Sequence, residues 1–127
     1  MQQKKMILNI LNYQDLIMSE VEQRFMRLLV FFDLPTNTKK QRRYATKFRN
    51  LLIKEAFSML QYSIYVRVCK GQEIVNKYID IIENNLPPEG NIRVLQITDK
   101  QYERMIIMIG DEIPEEKSVG MKQLLLF

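Results

Sequence analysis

Asp33 closes an apolar run, Arg27 to Phe32, and is followed by Leu34-Pro35-Thr36 and then by Lys39, Lys40, Arg42, Arg43 and Lys47. A carboxylate at a strand tip, beside a helix that opens on cations, suits phosphates or a hard metal ion. Two roles are open to Asp33. It can organise the turn through an Asx-type hydrogen bond. Alternatively, facing its own copy across a dimer axis, it can hold one Mg2+ ion that activates water on a scissile phosphate. The cations form a separate signal. Seven Lys and Arg between positions 39 and 55 are answered by a single acid, Glu55. A helix face of that kind reads as a surface for duplex phosphates, without sequence specificity.

Composition removes whole classes of chemistry. The 127 residues contain no histidine and one cysteine, Cys69. A Ser-His-Asp triad, a Cys-His pair, an intrachain disulfide and a multi-ligand Cys/His zinc site are therefore excluded. The formal charge of +4 points to polyanions. No apolar run is long enough to span a membrane, and Asn9, Asn12 and Asp15 interrupt the short one at the N-terminus. A cytoplasmic location with no membrane partner is expected.

The elements that must position these residues follow from hydrophobic period. Residues 1–25 read as an N-terminal extension, and 26–127 as one domain. Residues 27–32 are apolar on both faces, so this strand should be central. Thr36 is the expected N-cap of a helix starting near Asn37, with Tyr44, Phe48, Leu51 and Leu52 on its buried stripe. Residues 57–69 alternate as a strand and contain neither Gly nor Pro, so one long, kinked or bulged strand is expected there. A helix over 72–85, a strand over 91–98, a helical turn at 99–103 and strands over 104–109 and 123–127 complete the chain. Two helices on one face of a mostly antiparallel sheet make an α+β ferredoxin-like sandwich with an additional C-terminal strand. That last apolar strand needs a partner, and a homodimer sharing it would cover the exposed edge.

With the elements in this order, the chain resembles the CRISPR-associated protein 2 family. The residues that carry the likeness are Asp33-Leu34-Pro35-Thr36, then Gln61-Tyr62-Ser63-Ile64-Tyr65. Gly90-Asn91-Ile92 follows, leading to Ile97-Thr98-Asp99-Lys100-Gln101-Tyr102-Glu103-Arg104-Met105. The last run, with Asp-Leu-Pro-Thr, is similar to the type II-A branch. The resemblance implies a homodimer that bridges two dimers of CRISPR-associated protein 1, captures foreign double-stranded DNA and delivers it for integration as a new spacer. It also implies an alternative, a Mg2+-dependent endoribonuclease or endonuclease with Asp33 as metal ligand and catalytic residue. The family often places a basic residue two positions before Gln-Tyr-Ser, where this chain has Met59. Lys39, Lys40, Arg42, Arg43 and Lys47 are the expected DNA contacts, with Arg67 and Lys117 beside them. Ser63 and Tyr65 are further candidates for positioning a phosphate, and residues 111–127 for contacting the larger partner.

Overall fold

The computed structural model describes residues 25–116. The expectations for the N-terminal extension, for Lys117 and for the strand over 123–127 lie outside those residues. Strand β1 (Phe25–Asp33) is central, as its two apolar faces require. It pairs antiparallel with β3 (Ile64–Lys70) on one side and with β4 (Asn91–Thr98) on the other. Strand β2 (Ser58–Gln61) lies outside β3, so the order is β2-β3-β1-β4 with every pairing antiparallel. Helices α1 (Lys39–Lys54) and α2 (Gln72–Glu83) pack on one face, and a one-turn helix α3 (Asp99–Glu103) follows β4. This is the expected α+β ferredoxin-like sandwich. Among the described residues no helix is long and apolar enough to cross a membrane.

Alternation along β1 divides the interior in two. Leu28, Val30 and Phe32 face the helices and pack with Phe48, Leu52, Val75, Tyr78 and Ile82. The Phe32 and Phe48 rings meet edge to face at 5.3 Å. Each such buried side chain contributes about 1.5–3 kcal/mol. Leu29 points the other way and packs with Val66 and Tyr102, joined by the partly buried Phe31, Leu60, Ile97 and Ile113. The helix-free face therefore has a smaller apolar cluster of its own, closed by α3 and the chain after it.

Three local expectations are corrected. Residues 57–69 form a hairpin rather than one long strand. The chain turns at Tyr62-Ser63, with Ser63 at φ 63°, and a register irregularity falls between Met59 and Gln61. No glycine is needed because Ser63 itself takes the left-handed conformation. Its carbonyl accepts a 3.0 Å bond from the Phe32 N–H, which fastens the turn to the end of β1. Helix α1 is capped by Thr38 rather than Thr36. The Thr38 hydroxyl accepts from Gln41 N–H at 3.1 Å, and the Gln41 side chain accepts from Thr38 N–H at 3.0 Å. The buried stripe of α1 centres on Ala45, Phe48 and Leu52, with Tyr44 and Leu51 half-buried on its flanks.

Residues 104–109 form no strand. A strand needs a ladder partner, and this run takes up no sheet edge among the described residues. Its side chains are left exposed: Ile106 at 79 %, Met108 at 87 % and Ile109 at 96 %.

Candidate nucleic-acid interface

The cations on α1 come together as expected. Lys39, Arg42, Arg43 and Lys47, with Thr46 and Asn50, line an outward groove opposite the buried Ala45, Phe48 and Leu52. Lys40 is exposed on the flank. The first turn contains no acid, so Lys39 and Lys40 sit at the positive end of the helix dipole. That placement costs stability, about 0.3–1 kcal/mol per charge at an exposed helix end. No acid among the described residues forms an ion pair with these cations to offset it. Arg42 is partly committed to the fold. Its Nη1 donates to the Thr36 carbonyl at 3.0 Å and the Asn37 carbonyl at 3.2 Å, tying the turn to the helix.

Asp33 does not join this groove. Strand alternation places it on the side of Leu29 and Phe31, away from the helices. It lines a separate cavity of about 340 Å3 with Tyr62, Ser63, Asn91 and Arg93 among its walls. The expectation of one site built from strand-tip acid and cationic helix is thus corrected to two surfaces on opposite sides of the sheet. The carboxylate is exposed and makes no hydrogen bond or ion pair with any described residue, so the Asx role is not taken up.

Close backbone packing holds the turn instead. Gly90, at φ 111°, lies so near that a Cβ there would stand 2.7 Å from Leu34 Cδ2 and 2.9 Å from the Asp33 carbonyl oxygen. Only glycine fits such an approach.

The remaining candidates separate cleanly. Ser63 is exposed in the Asp33 cavity, whereas Tyr65 is buried in the core and touches no phosphate surface. Arg67 is occupied by the fold. It donates from Nε to the Glu55 carbonyl at 2.9 Å and from Nη2 to the Tyr78 hydroxyl at 2.7 Å, with its guanidinium 3.8 Å from that ring. Cys69 is fully buried, and burial pushes its thiol up from the ordinary value, so it is no nucleophile.

At the far end of the helix-free face, Arg27 and Asp99 form a buried 2.7 Å ion pair. The Arg27 guanidinium lies 4.6 Å from the Tyr102 ring. The Tyr102 hydroxyl is buried and has no hydrogen-bond partner of normal geometry among the described residues. Burial and the Glu116 carboxylate push that phenol well above its usual range. This cluster anchors α3 to the sheet.

Two members of the Asp33 cavity, Tyr62 and Arg93, are absent from the sequence-derived candidates. The signal for Arg93 is a single cation at an alternate position of a strand face otherwise carrying Leu95 and Ile97. Among the described residues no three His, Cys, Asp or Glu side chains converge. One chain supplies a single carboxylate with the neutral oxygens of Ser63 and Asn91 nearby, which fits half of a hard-cation site.

Comparison with known proteins gives a consistent picture. The family described as CRISPR associated protein Cas2 matches residues 26–105. A Campylobacter jejuni protein named CRISPR-associated endoribonuclease Cas2 is 44 % identical over 107 residues, covering 84 % of this chain and 75 % of its own length. A protein of the same name from Acidovorax ebreus is 41 % identical over 80 % of this chain and 100 % of its own. Another, from Flavobacterium psychrophilum, is 44 % identical over 84 % and 91 % respectively.

Proposed function

This chain belongs to the CRISPR-associated Cas2 family, and from that premise we propose that it is the homodimeric, duplex-binding bridge of the machinery that acquires new spacers, joining dimers of CRISPR-associated protein 1. The carrying observation is the outward face of α1. Lys39, Lys40, Arg43 and Lys47 are exposed and form no ion pair among the described residues, and the first two stand at a helix end where positive charge opposes folding. A fold that tolerates this cost has a polyanion to bind. Contacts from such a face go to phosphates, which suits a protein that accepts DNA of any sequence. The exposed run Met105 to Ile109 and the outer edge of β4, unpaired among the described residues, supply the surface for a second copy.

The test is binding of a short DNA duplex as a function of salt, using Arg43→Glu and Lys47→Glu. Arg42 is left in place because it ties the α1 turn. Each reversal is expected to weaken binding about tenfold and to flatten the log–log salt slope by about 0.9 for each phosphate no longer neutralised. Unchanged affinity and slope in the folded double variant would exclude this helix as the duplex surface. Light scattering of a mixture with CRISPR-associated protein 1 and duplex should show a ternary complex.

A second reading, a Mg2+-dependent endoribonuclease, is favoured by the exposed and unbonded Asp33 in its cavity and by the name the relatives carry. In that reading Asp33 from two copies holds the ion, which when bound supplies charge stabilisation at the scissile phosphate and an activated water. This chain's part is to keep Asp33 at a strand tip fixed by Gly90 and the Ser63 turn. Asp33→Asn should abolish any Mg2+-dependent cleavage of RNA while leaving duplex binding by α1 intact.

A further inference from the structure

Two side chains on the rim of the Asp33 cavity have no partner among the described residues and no part in either reading above. Arg93 stands opposite Phe31 in the β4–β1 register, two positions from the Asn91–Asp33 pair. It therefore projects from the same side of the sheet as Asp33, as its diagonal neighbour at roughly 7–8 Å. It is exposed and makes no ion pair or hydrogen bond with any described residue. A cation and a carboxylate thus share one cavity without satisfying each other.

On the other rim Tyr62 is 90 % exposed at the tip of the β2–β3 turn. Its neighbour Ser63 holds a left-handed backbone and bonds to Phe32 N–H, so the base of the ring is fixed relative to Asp33 although the ring itself is in solvent. A large aromatic ring kept in water on a fixed turn is a stacking surface without an occupant.

We infer that Arg93 and Tyr62 form a clamp for one nucleotide of an unpaired nucleic-acid strand, Arg93 taking the phosphate and Tyr62 stacking on the base. The strand is unpaired because a duplex keeps its bases stacked on one another, leaving none free for the ring. Arg93 also offsets the repulsion that Asp33 would otherwise exert on a phosphate brought into the cavity. The clamp seats a phosphodiester beside Asp33, and so deepens the endoribonuclease reading by naming residues that hold the strand. Only cleavage depends on that reading; binding does not. The recognised groups, base and phosphate, are common to RNA and DNA.

The experiment is fluorescence anisotropy of the full chain with a short labelled single strand, as RNA and as DNA of the same sequence, in EDTA. Arg93→Gln is expected to weaken both about tenfold and to flatten the salt slope by about 0.7. Tyr62→Ala is expected to weaken both about tenfold, while Tyr62→Phe binds like the parent because the stacking face is kept. Neither variant should change duplex binding, which uses α1. Asp33→Asn should bind the strand as tightly as the parent or more so.

Single-strand affinities unchanged in both Arg93→Gln and Tyr62→Ala would overturn the clamp, even if the parent cuts the strand when Mg2+ is supplied. Equal losses for single strand and duplex would overturn it too. A parent that binds through these residues but never cleaves with Mg2+ would uphold the clamp and sink the endoribonuclease reading alone.

Discussion

At the scale of single residues, two features of the helix-free face show how this small domain tolerates polar atoms inside. The Arg27–Asp99 pair is satisfied by its own 2.7 Å bond, whereas the Tyr102 hydroxyl is buried beside the Glu116 carboxylate with no well-formed hydrogen bond among the described residues. Removing that hydroxyl should therefore cost little, and Tyr102→Phe is expected to leave stability at neutral pH within about 1 kcal/mol of the parent. Alkaline pH should tell the two apart. The folded phenol is held above its ordinary value of 10.0 by burial and by Glu116. Below about pH 10 both folded and unfolded chains keep the proton, and the contribution is fully present. As pH rises further, the unfolded chain ionises first, and stability falls through the folded value. Urea midpoints measured between about pH 10 and 12 should decline less steeply in Tyr102→Phe than in the parent. Parallel declines would mean that Tyr102 titrates alike in both states.

At the scale of elements, both turns that enclose β2 use left-handed residues with side chains. Helix α1 ends in a Schellman arrangement. Phe57 N–H donates to the Leu52 carbonyl, Ala56 N–H donates to the Ile53 carbonyl, and Ala56 lies at φ 64°. The β2–β3 turn does the same with Ser63 at φ 63°. Glycine relieves the Cβ clash at such positions, so Ala56→Gly and Ser63→Gly should each stabilise by about 1 kcal/mol, read as a higher denaturant midpoint at constant slope. A drop in midpoint would show that these side chains contribute more than their backbone strain costs.

Such residues bear on what could and could not be read in advance. β1, α1, α2, β4 and the α3 turn are legible because the apolar period marks them, although the α1 cap falls at Thr38 rather than Thr36. The hairpin within 57–69 is not, because its turn signal is a Ser in a left-handed conformation that composition does not advertise. Residues 104–109 look like a strand because apolar pattern reports a tendency to be buried, not the identity of what covers it. In the site, Asp33 and the α1 cations are legible as chemistry, but their separation is not. Closeness in sequence does not say which side of a sheet a strand end faces. Arg93, distant in sequence from Asp33, joins it only through the β1–β4 register.

At the scale of the molecule, the exposed run after α3 is the largest departure from a self-contained monomer. Ile106 and Ile109 stand in solvent, and β4 is the outer strand of the sheet among the described residues. Ile106→Asp with Ile109→Asp should leave the circular dichroism of the chain unchanged, since neither side chain supports the fold of one copy. Under the homodimer proposed above, light scattering should then report a monomer in place of the parent's dimer, and the melting temperature should lose its dependence on protein concentration. A double variant that remains dimeric would move the interface elsewhere.

The sheet that separates the α1 groove from the Asp33 cavity also has an evolutionary consequence. The two surfaces share no lining residue and project from opposite faces. A substitution on one has no physical route to a compensating substitution on the other, as is usual for sites without shared partners. A lineage is free to erode the cavity while keeping its grip on polyanions, or to retune that grip while the cavity stays as it was. In a broad set of related sequences, the residue types found at positions 43 and 93 should accordingly drift without correlation. Position 90, where a Cβ would strike the backbone carbonyl of residue 33 and the Leu34 side chain, should stay glycine whichever residue stands at 33.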